Sequence, residues 1–531
     1  VILCSKRRCN SGCGMTATAS PMMAISPTIS TSTVLTIDDL LLELEPDLLR
    51  GAPLHVCLNR CGRYWVQESD QAQVNRLTRP AEQYHHFLSH DWGTSAFLKY
   101  VSLLIYYNSG AATLATILVS AALGVAVACD ILPEVAWMPV FGYVVFFTFL
   151  LFWQQLRRLV LRPMIVFLDK LCIPQDDEDL KARCIFGLAG FLDRAETLVV
   201  LWSPRYFARL WCTYEIATWL KNPGKPKPVV FLPVQISILF MICFLVVSLV
   251  QATTVLAETA LLQSTASDWT VDAIFLLIGI NAIMASILLP LCFFFWTKMF
   301  KDVAELHRQL TSFKVQETSC YCCTQRHRDP ATGAVISCDR KLIYGVLKKW
   351  YGGSKKNYLE VFNGLVREQL SLPIQRKLQD NTLLLQYLAA AGLAAICPFF
   401  AMWIPRLARS YAEEGSIGLL RRLQPKVYLI LLVLCMLHVS VLIGKAGVDL
   451  ASCFNQILLA RGQACFETLM CLMLWFPFSV SMFMTDENSY LPAVTLGVLF
   501  LVDMYLFTRA LPKPAFARGA ARHLLLLEES H

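Results

Sequence analysis

The stretch ETLVVLWSPRYFARLWCTYEIATWL (Glu196–Leu220) decides how the chain is read. Its first half holds a short apolar run, Leu198–Trp202, closed by Ser203 and Pro204, which suits a buried strand. Its second half spaces Trp211, Glu215 and Trp219 four apart, on one side of a predicted helix. Between Ser203 and Leu220 the only acidic group is Glu215, set among aromatic and aliphatic residues. A carboxylate is costly to bury unless it is paired, protonated or used. Glu215 is therefore the first candidate for chemistry.

Working outward, three more runs share the design. YHHFLSHDWG (Tyr84–Gly93) and RPMIVFLDKLCIPQDD (Arg162–Asp177) run apolar and end in polar or turn residues, and PKPVVFLPVQ (Pro226–Gln235) precedes a long apolar segment. Helical patterns over Asp179–Arg194 and Arg209–Lys221 separate the last three runs. Strand–helix alternation predicts a parallel sheet covered by helices. In such sheets ligands bind beyond the carboxyl ends of the strands. Those ends carry Ser89, His90, Asp91 and Trp92, then Asp169, Cys172, Pro174 and Gln175, then Ser203, Arg205, Tyr206 and Trp211. They form the expected ligand-binding rim.

These residues carry a resemblance. FLSHDWG, VFLDKLCIPQDD and LVVLWSPRYFARLWCTYEI resemble, in chain order, the first-strand box, second-strand loop and third-strand/helix box of Toll/interleukin-receptor (TIR) domains. DKLCIPQD also resembles the D-x-x-C-I-N-Q-D stretch of heterokaryon-incompatibility domains, which share that fold. Tyr206, Trp211, Cys212 and Glu215 keep the family's spacing. The resemblance covers Tyr84–Gln235 less an insertion. It implies a cytosolic signalling domain that self-associates or recruits other TIR-like domains. It also implies a second reading, since Glu215 matches the catalytic residue of TIR domains that cleave NAD. There one carboxylate near the ribose would stabilise an oxocarbenium-like transition state as nicotinamide leaves.

Plainer roles stand beside these. Glu215 would pair with Arg205 or Arg209, Asp169 would cap its loop, and Cys172 would be a packed thiol. His85 and His86 are adjacent on a strand and point to opposite faces, so His90 is the histidine to follow. The chain departs from the TIR pattern in three ways. Ala208, Arg209 and Leu210 replace the serine usual before the Trp-Cys pair, two apparent spans replace the first helix region, and no clear fifth strand follows Gln235.

The rest of the chain is built for a membrane. Of 531 residues, 56% are hydrophobic and 16% charged, with mean hydropathy +0.51; soluble domains run about 45–50% apolar and about 25% charged. Eight runs approach the roughly 20 residues a span needs: Ala111–Ala128, Trp137–Trp153, Ile236–Leu256, Ala273–Trp296, Leu383–Ile404, Val427–Ile443, Phe466–Met484 and Leu491–Phe507. The expected fold is an α-helical polytopic membrane protein of about eight spans carrying a cytosolic α/β TIR-like domain interrupted by a transmembrane hairpin. Its parts are a disordered segment (1–36), a short amphipathic lead-in (37–83) and the split domain (84–235, hairpin about 111–153). A second hairpin (236–297), a basic Cys-containing cytosolic region (298–380), a four-span bundle (381–508) and a tail (509–531) follow.

An even span count keeps both soluble regions and both termini on the cytoplasmic side. One loop opposes this: Arg406, Arg409, Arg421, Arg422 and Lys426 fall where parity places the outside, against the positive-inside rule. The net charge of +8 comes from bases near the ends of apolar runs, which suits a lipid bilayer as partner and excludes nucleic acid. The 20 cysteines do not read as a secreted disulfide framework, because many lie inside apolar runs. Val1–Arg50 shows no signal-peptide core, and Met15 is a candidate initiator. His438, Lys445, Asp503 and Glu467 lie in or near spans, which keeps a third reading open: a channel or transporter with regulatory soluble domains.

No cofactor is required by these patterns, but SCYCCTQRHRDPATGAVISCDR offers zinc ligands. Four of Cys320, Cys322, Cys323, His327 and Cys338 would hold the ion tetrahedrally. The C-x-C-C…C spacing is not a standard zinc pattern, and buried thiols or lipidated juxtamembrane cysteines are the alternatives. Lys341, Lys348, Lys349, Lys355 and Lys356, with Trp350 and Tyr351 among them, read as a basic aromatic surface on the membrane or as a solvated helix face.

Overall fold

The computed structural model describes residues 48–65, 71–134, 137–173, 183–185, 187–221, 227–263, 305–328, 338–352, 357–370 and 382–420, with residues 180, 294, 295, 298, 299, 301, 302, 333, 335, 423, 498 and 501. The segment 1–36, the last three expected spans (residues 498 and 501 apart), the C-terminal tail and most of Ala273–Trp296 lie outside the described residues, as do His438, Lys445, Glu467 and Asp503.

Six strands form one mixed sheet: β1 (Arg50–Pro53), β2 (Arg79–Pro80), β3 (Tyr84–His90), β4 (Ile165–Phe167), β5 (Ala195–Trp202) and β6 (Val229–Pro233), in the order β2-β1-β4-β3-β5-β6. β3 pairs in parallel with β4 and β5, and β5 with β6. β5 is the centre of gravity: Leu198, Val199, Val200 and Leu201 are fully buried, as a parallel strand covered on both faces requires. The parallel strands run outward from β3 in both directions, so the chain reverses between β3 and β5. That is the switch point where open α/β sheets bind ligands.

Residues 37–47 of the acidic, leucine-rich lead-in lie outside the described residues; just after them, Arg50–Pro53 is a strand antiparallel to β4. Gly51 permits the close approach, because a Cβ there would collide with the Ile165 side chain. β2 pairs antiparallel on its outer side, so the sheet is mixed rather than wholly parallel.

Between β3 and β4 lie α1 (Ala96–Ala128) and α2 (Met138–Arg157). The expected insertion began near residue 111. Instead α1 starts at Ala96, buries Tyr100, Leu103 and Leu104 in the sheet's core, and continues unbroken into the apolar segment. Asn108 Nδ2 donates to Leu150 O (2.8 Å) and Gln154 Nε2 to Asn108 Oδ1 (2.9 Å), so the buried amides of the hairpin satisfy each other. Leu114, Leu118, Val125, Val140 and Val144 point outward and exposed, the surface lipid would cover.

Four described helices are long and apolar enough to cross a membrane: Ala96–Ala128, Met138–Arg157, Ile236–Thr253 and Ala390–Leu420. The third opens α5 (Ile236–Gln263), directly after β6. The fourth continues α8 (Thr382–Ile396) through a 3-10 helical segment at Cys397–Phe399. Ala391, Ala394 and Ala395 pack with Phe146, Phe240 and Phe244, small residues letting helices close together. Glu134, at the tip between α1 and α2, accepts from Arg406 Nε (3.0 Å) and pairs with Arg409. Two of the bases that oppose parity, Arg406 and Arg409, therefore sit beside the hairpin tip, on a helix rather than in a loop, while Arg421, Arg422 and Lys426 lie outside the described residues.

The second soluble region is not a separate body. α6 (Asp339–Tyr351) and α7 (Tyr358–Gln369) bring Ile343, Val346, Leu347, Phe362 and Val366 into one core with the sheet. The membrane-lying surface expected around Trp350 and Tyr351 is corrected accordingly. Trp350 stacks on Tyr214 (6.0 Å) and Tyr351 donates to the Ala217 carbonyl (2.7 Å), both on α4 (Leu210–Leu220). Both rings lie on the inner face of an amphipathic helix, whose outer face carries the exposed Lys341, Lys348 and Lys349.

Candidate functional site

The rim forms where β3 and β5 end and α4 begins. Ser89 pairs with Val200, and His90 with Leu201, which brings the end of β3 level with the turn at Ser203. Ser89 Oγ donates to Glu215 Oε2, and Tyr206 OH lies 2.5 Å from Ser89 Oγ. With Ser89 donating to the carboxylate, the tyrosine donates in turn, giving a three-member chain Tyr206–Ser89–Glu215. Tyr206 and Ser89 are buried. Glu215 keeps partial exposure, but its carboxyl end is enclosed. Desolvation pushes its pKa up to about 8, against the Ser89 hydrogen bond, with the Asp169 charge adding to the rise. At pH 7 roughly a tenth of such a group is ionised.

The arginine partners foreseen for Glu215 are engaged elsewhere. Arg205 Nη2 lies 3.1 Å from Asp91 Oδ2 and Arg209 Nε 3.9 Å from Asp91 Oδ1, while the hydrogen-bond partner of Glu215 is Ser89. Asp91, the residue after β3, is buried, and it also accepts from Gly93 N and Thr94 Oγ1 (3.2 Å each). Arg205 lies directly over Gly93, where any Cβ would meet the guanidinium. The two tryptophans beside Glu215 are held by other groups: Trp211 Nε1 donates to Asp339 and Trp219 Nε1 to the Lys227 carbonyl (3.3 Å each).

Asp169 starts a short helix, Asp169–Cys172, after β4. It accepts from Trp92 Nε1 and from Lys170 N (2.7 Å each), so it ties β4 to the loop after β3, while the short helix itself has no side-chain cap. Lys170 Nζ stands 4.0 Å over the Trp92 ring. His90 faces Asp169 at 3.9 Å and meets Trp65 edge-on at 5.1 Å. Burial and then the Lys99 charge lower its pKa to about 4, so it is a neutral imidazole at physiological pH. Cys172 is a buried thiol pushed up to about 12 by desolvation, the packed role rather than a reactive one. Ser203 Oγ is buried without a protein partner. Gln175 and Pro174 lie outside the described residues.

The sequence reading passed over Lys99. It is buried among the rim's charges, with Nζ 5.8 Å from Trp65, and it interacts with Asp169 and Asp91. Its signal was a lone base at the start of an otherwise apolar helix. It also passed over Ser319. α4 has no side-chain cap; its first amide, Leu210 N, donates to the Ser319 carbonyl (3.1 Å), while Ser319 N and Oγ donate to Ala208 O (2.6 and 2.7 Å).

The cysteine segment is brought together. Cys322, Cys323, His327 and Cys338 present ligand atoms all within 4.8 Å of one another, and Cys320 lies with Cys322 and Asp339. Comparison with family models, curated proteins and solved structures finds no match to this chain.

Proposed function

We propose that the protein is a membrane-anchored signalling protein acting through a cytosolic TIR-like domain that assembles at the membrane. The observation that carries this is helix α1. It begins five residues after Asp91, places Lys99 among the rim's charges, and runs without a break through Ala128 as a membrane-length helix. A domain whose first crossover helix is also its anchor works where its copies are confined to a surface. The strand order around β3 and the rim at the switch point support the TIR likeness, as do Tyr206, Cys212 and Glu215 on or beside α4. Two populations of the full-length chain in vesicles, one carrying a donor and one an acceptor dye, test assembly. Energy transfer between copies, reduced by Arg205→Glu at the exposed rim, is expected; no transfer at any surface density overturns the reading.

A second reading, cleavage of NAD, is favoured by one observation: Glu215 lies at the switch point at the end of a Tyr–Ser hydrogen-bond chain, with the neutral Ser89 hydroxyl donating to it. A group near pKa 8 stays mostly protonated at pH 7, so this chemistry needs the cationic nicotinamide ribosyl group to draw the carboxylate into its ionised form. That requirement places assembly ahead of catalysis. Nicotinamide release by the full-length chain is the measurement, with a loss of at least about a hundredfold in Glu215→Gln. No release by the unaltered protein would remove it.

A further inference from the structure

We propose that Cys322, Cys323, His327 and Cys338 bind a structural zinc ion that ties the turn at residues 319–328 to the start of α6, beside the start of α4. The donor set is three sulfurs and one imidazole, the composition of closed tetrahedral zinc sites. The spacing fits as well. With Zn–S near 2.3 Å and Zn–N near 2.0–2.1 Å, a regular tetrahedron sets sulfurs about 3.8 Å apart and sulfur to nitrogen about 3.6 Å. Cys323 Sγ lies 3.8 Å from Cys338 Sγ and 3.6 Å from His327 Nε2.

The backbone is bent to make this set. Cys322 and Cys323 sit on a single helical turn, Tyr321–Thr324. Arg326 and His327 then adopt left-handed conformations, φ 51° and 58°, which non-glycine residues rarely take without a compensating contact. The bend carries His327 back over the turn, where its amide donates to Cys322 O (2.7 Å). Cys338 arrives from the other direction, as the residue just before α6. Cys320 Sγ, 2.9 Å from Cys322 Sγ, takes the place of an outer partner that donates to a bound sulfur. The five residues offered by the sequence thus divide into four ligands and one support.

The location gives the ion its work. Cys320 follows Ser319, whose carbonyl and amide close the open end of α4. Asp339 follows Cys338 and accepts from Trp211, the second residue of that helix. Zinc would therefore fix, through one segment, both clamps on the helix that presents Glu215. It does so whatever the rim binds.

The full-length chain, purified in detergent without chelator, should contain about one zinc per polypeptide by elemental analysis. Cys323→Ser and His327→Ala should fall below about a fifth of that, and Cys61→Ser, an exposed thiol elsewhere, should keep it. If those variants do not fold, a thiol-directed mercurial added to the unaltered protein should release its zinc. Removing the ion should also speed hydrogen exchange at the amides of Leu210 and Ser319. Unaltered protein with under about a fifth of an equivalent of zinc overturns the site. So does zinc that survives both the substitutions and the mercurial. Unchanged exchange at Leu210 and Ser319 after zinc loss overturns the clamp.

Discussion

Ser89 at the end of β3 donates its hydroxyl hydrogen to the carboxylate of Glu215, six residues into α4. The pairing joins strand to helix through a neutral donor, not through the cation a buried carboxylate usually finds. Its consequence is a pH dependence with a definite sign. Because burial raises the native pKa from 4.5 to about 8, the unfolded chain releases this proton first as pH rises. Stability from the group is complete below about pH 4.5 and is lost on the way to about pH 8, by about 2–5 kcal/mol. Glu215→Gln keeps the size and a hydrogen-bonding oxygen without the charge. Thermal melts should show the variant matching the unaltered protein at pH 5 and exceeding it at pH 8.5. A variant that is weaker at pH 8.5 would show that a cation does pair with Glu215.

His90 acts on the acid side. Its native pKa lies near 4, lowered by burial from 6.5, so on acidification the unfolded chain takes up the proton first. Its contribution is complete above about pH 6.5 and is lost towards pH 4, at most about 3 kcal/mol. Denaturant titrations of the full chain from pH 7 to pH 4.5 should show this loss, and His90→Gln should flatten it. An acid limb of equal slope in the variant would assign the loss to other groups.

How much of this was legible in sequence follows the range of the physics involved. The β3, β5 and β6 strands and α4 could be read because their apolar runs and turn residues are local signals. β1 could not, because Arg50–Pro53 is a strand only through its pairing with Ile165 and Val166, more than a hundred residues away. Trp350 and Tyr351 looked like membrane-surface aromatics because sequence gives a helix its faces but not its neighbour. Ser89, His90, Asp91, Asp169, Ser203 and Arg205 can be read from sequence as strand ends, but the partners among them cannot. Arg205 and Arg209 are closer in sequence to Glu215 than Asp91 is, yet the end of β3 brings Asp91 to them.

Asp91 should matter more than either arginine that meets it. Its side chain is 2% exposed, against 62% for Arg205 and 28% for Arg209, and it also accepts from Gly93 N and Thr94 Oγ1. Asp91→Asn retains shape but weakens every charge-assisted bond, for a cost of about 2 kcal/mol. Arg205→Ala removes an exposed partner and should cost less than about 1 kcal/mol. Denaturation midpoints of the two variants rank them directly, and the reverse ranking would mean that Arg205 holds the loop by itself.

The contact between Glu134 and Arg406 makes the topology testable. α1 leaves the sheet at Ala96 and ends just before Glu134, so the hairpin tip lies at the end of the helices away from the sheet. Arg406 and Arg409, midway along the Ala390–Leu420 helix, reach Glu134, so the half of that helix beyond Arg409 lies at that same end. If the sheet is cytoplasmic, the arginines lie on the far side, opposed by positive-inside bias but joined to an acid there. Glycosylation acceptors introduced at Asp130–Glu134 and at Glu413–Glu414 should then be modified together, while one placed after Lys349, on the soluble body, should stay bare. Arg406 is only 11% exposed, so Glu134→Gln should also lower the thermal stability of the full chain by about 1–3 kcal/mol, as loss of a partly buried charge partner does. Modification at Glu413 without modification at Glu134 would put the two positions on opposite sides and break the pairing on which this arrangement depends.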